Sequence, residues 1–346
     1  GSTVASQTIT SGGLVTKPTD PTKEGSKFLG WFADAGFASA WDFANATISS
    51  ITTIYAKWLS YRDLVNVPGG TFVQKDTSGN QFTHTISSFK IGAFEVTYDL
   101  WYEVRQWALV NGYYFADAGR EGNDGVDGNA PTTDGKYEPV AMINWRDAIV
   151  WCNAYSQKSG LVPVYYTDNG MTGILKDSRD GSYASSIDTT AGSYDNPYVN
   201  WNATGYRLPT EGEWQYAASY VNGTDWTPYN YASGATADFT DTTANGAVAW
   251  YATNSGGSTK SIGTRAANKL GIYDMSGNVM EWCWDWSGTL PTTTQENYRG
   301  PASGSGRLIR GGSYRDTASV LQVGARSGDI SWHEDEYVGF RLARSN

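Results

Sequence analysis

The sequence predicts an α+β domain preceded by a small β-rich module, on three observations. The chain carries 40 Gly, 23 Tyr and 15 Trp, a mixture that favours short strands, tight turns and aromatic packing over long helices. Short apolar runs broken by Gly and Pro fill both ends of the chain. Between them stand helix starts marked by capping residues ahead of an apolar period.

The first module spans residues 1–60. Its runs Gly12-Gly13-Leu14-Val15, Phe28-Leu29-Gly30-Trp31-Phe32 and Thr53-Ile54-Tyr55-Ala56-Lys57-Trp58 read as strands separated by turns at Pro18, Pro21 and Gly25. The second domain spans 61–346. Val65–Phe72 and Phe89–Gly92 read as strands, and Thr97 caps a helix carrying Leu100, Val104 and Trp107. A second helix opens at Asn144 with Asp147 three residues on. A third opens at Thr210 with Glu213, a capping box in which each side chain takes a free backbone N–H of the other. Residues 111–135 and 168–200 are polar, Gly-rich and aperiodic, and read as surface insertions. After residue 245 short strands and turns return. There Leu321, Val323 and Ala325 alternate with Gln322, Gly324 and Arg326 as in a strand with one buried face.

Composition excludes several classes of function. A formal charge of −10 opposes binding to a phosphate backbone or an anionic membrane, so no nucleic-acid partner is expected. No run of 18 apolar residues is present, so the chain as given is not expected to cross a membrane. It opens Gly1-Ser2-Thr3 without a signal-peptide pattern, and a membrane anchor would need a segment outside this sequence. Cys152 and Cys283 are its only cysteines, both in tryptophan-rich apolar stretches, and read as buried free thiols.

Six motifs in order carry a family resemblance: Phe94-Glu95-Val96-Thr97, Pro139–Ala148, Tyr206-Arg207-Leu208-Pro209-Thr210-Glu211-Gly212-Glu213-Trp214, Gly271–Trp282, Arg310-Gly311-Gly312-Ser313-Tyr314 and Gly339-Phe340-Arg341-Leu342. Together they resemble the formylglycine-generating-enzyme, or sulfatase-modifying-factor, family over residues 61–344. The resemblance implies a C-type-lectin-like fold. Residues 4–58 resemble the Listeria–Bacteroides (internalin B-type) repeat, which implies a β-grasp-like spacer of bacterial surface proteins. Each motif also has its own physical reading. Arg207 beside Thr210 and Glu213 suggests a polar network at a helix start. Gly311 and Gly312 suggest a turn at positive φ, Trp282, Trp284 and Trp286 read as core, and Arg341 reads as an ion-pair partner.

Catalytic members of the family resemble one another in two reactive thiols just after the Arg-Gly-Gly-Ser motif, which bind copper and carry the redox chemistry. Here that segment runs Tyr314 to Gln322 without cysteine. The related iron-dependent sulfoxide synthases use several histidine ligands, and this chain has only His84 and His333. The expectation is a protein without enzyme activity and without a redox cofactor. The alternatives are an oxidase with unusual metal ligands, a carboxylate chemistry near Glu334, Asp335 and Glu336, and a structural part of an envelope assembly.

Two sites follow from the resemblance. Asp274, Gly277, Val279 and Glu281 align with a structural calcium site of the family, two carboxylates and two carbonyls being hard-oxygen ligands. The competing reading is a turn in which Asp274 and Glu281 accept N–H groups. The second site is a ligand-binding face of Tyr314, Arg315, Asp316, Gln322, Gly324, Ser327, Trp332, His333, Glu334, Glu336 and Tyr337. Rigid aromatics beside small or charged neighbours suit recognition, because rings give contact area at low entropic cost. This placement, between the Arg-Gly-Gly-Ser and Gly-Phe-Arg motifs, resembles the variable proteins of diversity-generating retroelements. It implies a receptor-like protein of the bacterial cell surface whose ligand is a protein or peptide. The sugar-coordinating triplets Glu-Pro-Asn, Gln-Pro-Asp and Trp-Asn-Asp are absent from the sequence.

Overall fold

A computed structural model describes residues 1–179 and 187–346. The centre of the second insertion, 180–186, therefore lies outside the described residues. The chain divides into two compact units, Gly1–Asp63 and Leu64–Asn346.

The first unit pairs β1 (Gly13–Leu14) with β3 (Thr47–Ile48), and β2 (Ser26–Phe32) with β4 (Tyr55–Ser60), both antiparallel. The β2–β4 register slips between Phe28 and Gly30, and Gly30 sits at φ 126°, a value that a side chain would strain. Every residue of β2 and β4 is only half-buried, as expected where so short a chain has little interior to offer.

The second unit opens with β5 (Leu64–Val67), β6 (Gly70–Lys75), β7 (Gln81–Ile86) and β8 (Phe89–Gly92). The helices α1 (Tyr98–Val110), α2 (Trp145–Lys158) and α3 (Glu211–Ser219) begin one residue after their predicted caps. The Thr97 hydroxyl accepts from the Leu100 N–H, and both capping boxes, Asn144 with Asp147 and Thr210 with Glu213, are closed. Short pairs β9 (Arg120–Glu121) with β10 (Val140–Ala141), and β11 (Tyr165–Tyr166) with β12 (Tyr198–Val199), tie down the insertions. A further helix, α4 (Thr242–Val248), was not predicted. Asp241 caps it, but its seven residues are too few to show an apolar period.

The remaining strands are β13 (Met280–Trp286), β14 (Gln295–Glu296), β15 (Arg307–Arg310), β16 (Ser327–Asp329), β17 (Val338–Gly339) and β18 (Ala343–Ser345). They form a four-stranded sheet in the order β16-β15-β13-β17 and complete two three-stranded sheets, β14-β7-β6 and β18-β8-β5. Aromatic packing fills the core. Trp101 stacks on Trp151 at 5.7 Å, and Phe340 from the last motif meets both edge-on.

One element departs from its expectation. Residues 321–326 are not a strand. A short 3-10 turn over Ala318–Val320 leads into a bend with a single antiparallel bridge, Gln322 to Ala232, and the next strand starts at Ser327. The apparent alternation arises because the bend is packed on several sides. Leu321 and Val323 are buried, and so are Gln322 and Gly324. The Val323 carbonyl accepts from Arg310 and its N–H donates to Tyr231.

Candidate recognition face and its buried floor

β13 and the last motif build a polar floor inside the core. Glu281 on β13 and Arg341 after β17 are both fully buried. Arg341 donates Nε to Glu281 Oε2 at 2.6 Å and Nη2 to Oε1 at 2.5 Å, a bidentate fork. Its other donors reach the carbonyls of Gly92 and Tyr273, both at 3.0 Å. Trp214 of α3 donates its indole N–H to Glu281 Oε2 at 2.8 Å. Glu95 lies beside them and accepts from Asn278 Nδ2 and the Val279 N–H. Burial, with Asp274 and Glu281 nearby, pushes its carboxyl well above the ordinary range.

The predicted calcium residues sit in this floor. Asp274, Gly277 and Asn278 all take positive φ, and Asp274 Oδ2 accepts the Gly263 N–H at 2.6 Å. At Gly277 a Cβ would lie 2.2 Å from the Trp250 carbonyl oxygen, so only glycine fits. Both oxygens of Glu281 are engaged by Arg341 and Trp214. The Glu281 carboxylate and Asp274 Oδ2 thus take part in the hydrogen-bonded turn of the two readings. Among the described residues no group of three or more His, Cys, Asp or Glu side chains is placed to hold a metal.

Above the floor, the segment after Gly311 and Gly312 splits into buried and exposed residues. The two glycines turn the chain at φ 97° and 71°. Tyr314 is buried along most of its ring, with its hydroxyl reaching Glu336 Oε1 at 3.3 Å. Arg315 is exposed, lies 4.2 Å over the Tyr337 ring and donates to Glu336 Oε1 at 3.4 Å. Arg120, from the first insertion, donates to Glu336 Oε2 at 3.3 Å. Glu336 thus joins segments from three parts of the chain.

The other predicted site residues divide. His333 shares a 2.8 Å hydrogen bond with Asp329, which raises its affinity for a proton. Glu334 and Trp332 are half-buried in the same segment, and Ser327 is exposed on the edge strand β16. Four of the residues expected on the face do not belong to its exposed surface, and Tyr314, 3% exposed, is the first of them. Asp316 accepts from the Ser313 N–H and hydroxyl, closing the turn. Gln322 is buried, with its amide on the Ser319 carbonyl at 2.6 Å. At Gly324 a Cβ would come within 2.9 Å of the Tyr229 and Lys75 carbonyl oxygens.

Sequence reasoning missed the residues that reach the face from far along the chain. Arg120 is one, and its only signal was a cation within an otherwise acidic insertion. Asp195 is another. It forms a fully buried pair with Arg146 at 2.6 Å and 2.7 Å, and it accepts the Ser331 hydroxyl at 2.5 Å. Arg307 donates to its carbonyl, held 3.8 Å and 3.5 Å over the Trp145 and Trp286 rings. The second insertion is thus fastened directly beneath the start of the Trp332–Tyr337 segment. Asp117, half-buried in the first insertion, is pushed up to about 9 by burial and by the neighbouring Asp147, with Glu334 adding to the effect.

The two thiols are remote from this chemistry in character. Cys152 on α2 and Cys283 on β13 are fully buried, and burial raises both above the ordinary thiol range, away from the reactive thiolate.

Residues 53–346 match the sulfatase-modifying factor enzyme 1-like domain, and residues 1–57 match the Listeria-Bacteroides repeat domain. A chaperone protein, LppX, of Paenibacillus barcinonensis is 32% identical over 86% of this chain and 90% of its own length. Among solved structures, variable protein 1 of Treponema denticola superposes with a TM-score of 0.64 at 30% identity, covering 85% of this chain and 96% of that one. The formylglycine-generating enzyme of Thermomonospora curvata is 32% identical over 42% of this chain, which spans about half (51%) of the enzyme's length. The fold is the C-type-lectin-like one of this family.

Proposed function

Since the chain belongs to the family built on the sulfatase-modifying factor enzyme 1-like domain, we propose that it is a non-catalytic member that binds a polypeptide ligand through the face around Arg315, Glu336 and Tyr337. The observation that carries this reading is the fate of the segment after Ser313. Where the redox chemistry of the family requires thiols, this chain has Tyr314 to Gln322 without one. The same segment sends Arg315 to the surface against Tyr337 while its remaining apolar residues hold the core. The likeness to the Treponema variable protein supports a diversifiable face at this place. The name of the Paenibacillus relative, a chaperone protein, is also that of a polypeptide binder. Through its first unit the chain resembles surface-protein repeats, which supports display at a bacterial cell surface.

The test is panning of a random peptide library on the whole chain, followed by titration of the selected peptides. Joint substitution Arg315→Ala, Trp332→Ala and Tyr337→Ala is expected to weaken binding by roughly a hundredfold or more, as loss of clustered aromatic and Arg anchors does. Undiminished binding by that variant refutes the location. Copper or iron uptake with oxygen-dependent turnover by the purified chain refutes the non-catalytic reading. A near-copy of the segment encoding Arg310–Arg341 beside a reverse-transcriptase gene, differing mainly at adenines, would support diversification.

A further inference from the structure

A cavity of about 360 Å³ opens on residues that the recognition face does not use. Its wall includes Ser87 and Ser88 from the β7–β8 turn, Trp201 and Asn202 after β12, and Arg207 and Arg299. Arg207 is fully satisfied in charge, because Glu213 takes both its terminal nitrogens at 2.6 Å. Glu213 in turn holds the Thr210 N–H at the α3 capping box, so both its oxygens are already engaged.

Arg299 is in the opposite position. Its guanidinium lies 4.0 Å over the Trp201 ring, and Arg207 flanks the same ring at 5.4 Å. Among the described residues no carboxylate pairs with Arg299. Among its side chains the cavity therefore sets two guanidinium groups against one carboxylate, and Asn346, the last residue of the sequence, also lines it. Partial burial and the neighbouring Arg207 both hold Arg299 below its ordinary proton affinity, the condition that an arriving anion would relieve.

We propose that this cavity is an oxyanion-binding site, in which Arg299 takes the carboxylate or phosphate group of a small molecule. The planar fork of Arg suits either group bidentately, and stacking on Trp201 fixes the fork before the ligand arrives. Ser88 and Asn202 also line the cavity, and their side chains carry further donors. The volume lies within the range of small-molecule sites, so a ligand of modest size fits whole.

The experiment is a titration of the whole chain with sodium acetate and with inorganic phosphate at constant ionic strength, chloride being the control. Tryptophan indole N–H resonances report the site through Trp201. The expected result is saturation by at least one of the two, with Arg299→Gln weakening it roughly tenfold or more. Arg299→Lys, which keeps the charge and loses the fork, should fall between. Because Arg299 is largely exposed, both variants should melt within a few degrees of the parent. Saturation by phosphate alone assigns a phosphorylated ligand, and by acetate alone a carboxylate. Saturation by neither, or equal affinity in Arg299→Gln, overturns the proposal.

Discussion

Two of the domain's arginine–glutamate assemblies look alike on paper and do opposite work. In the floor, Glu281 and Arg341 meet bidentately with no exposed side-chain surface. On the face, Arg315 and Glu336 meet at 3.4 Å with side chains 51% and 41% exposed. Coulomb attraction inside a dry core is strong, but each ion there has lost its water and depends wholly on its partner. At the surface, water and salt screen the same pair to roughly 0.2–1 kcal/mol. The lesson is a division of labour. The floor cannot change without loss of the fold, whereas the face can change freely, and recognition belongs on the part that is free.

Breaking the floor should give the largest effect. Arg341→Met leaves Glu281 buried beside Asp274 and Glu95 without its cation. That is expected to cost about 3–5 kcal/mol and to lower the melting temperature by roughly 10 °C at 2–4 °C per kcal/mol. Thermal unfolding followed by circular dichroism reads it directly. A shift of under 2 °C would show that the floor is not what holds the scaffold.

The next effect is a pH dependence rooted in the first insertion. Asp117 is pushed up to about 9 in the fold and takes its ordinary carboxyl value when unfolded. The folded chain thus binds the extra proton, and stability from this group is complete below the unfolded value near 3.8 and is lost as pH rises toward 9. Asn at this position copies the protonated carboxyl and does not titrate. Asp117→Asn should therefore gain stability over the parent at pH 8.5 and little at pH 4, as urea midpoints at the two values will show. Equal gains at both, or a loss at pH 8.5, would contradict the raised Asp117.

How far this contrast could be read from sequence depends on the distance between partners. The helix starts were legible because Asn144 with Asp147, and Thr210 with Glu213, sit three residues apart and obey local geometry. So was the absence of thiols after Ser313. The bend at 321–326 was misread, because a buried alternating pattern arises equally from a strand and from a turn packed on several sides. The cross-chain partners were invisible. Arg120 meets Glu336 across more than 200 residues, and Asp195 meets Ser331 across 136, separations on which no periodic pattern bears.

On the face itself, the expected change in stability is small. Arg315→Ala removes one screened pair and a stacking contact over Tyr337, worth together about 1 kcal/mol. The melting temperature should move by no more than a few degrees, while affinity for a selected peptide falls severalfold. The ratio of the two effects is the sharp quantity. If Arg315→Ala destabilises as much as Arg341→Met, the face is part of the scaffold after all and the division fails.

The smallest expected effect is that of calcium, which is expected to do nothing measurable. Asp274 and Glu281 carry the right atoms for a hard cation, but the Glu281 oxygens are already bound by a guanidinium and an indole N–H. A calcium ion would have to displace Arg341, leaving that guanidinium charged and dry, a cost of several kcal/mol before any ligand bond forms. Melting the chelator-treated chain with and without millimolar calcium should give coincident transitions, and calorimetry should find no uptake. A calcium-dependent rise in melting temperature would mean that the ion, rather than Arg341, closes the floor, and the contrast between sealed floor and open face would then rest on a metal.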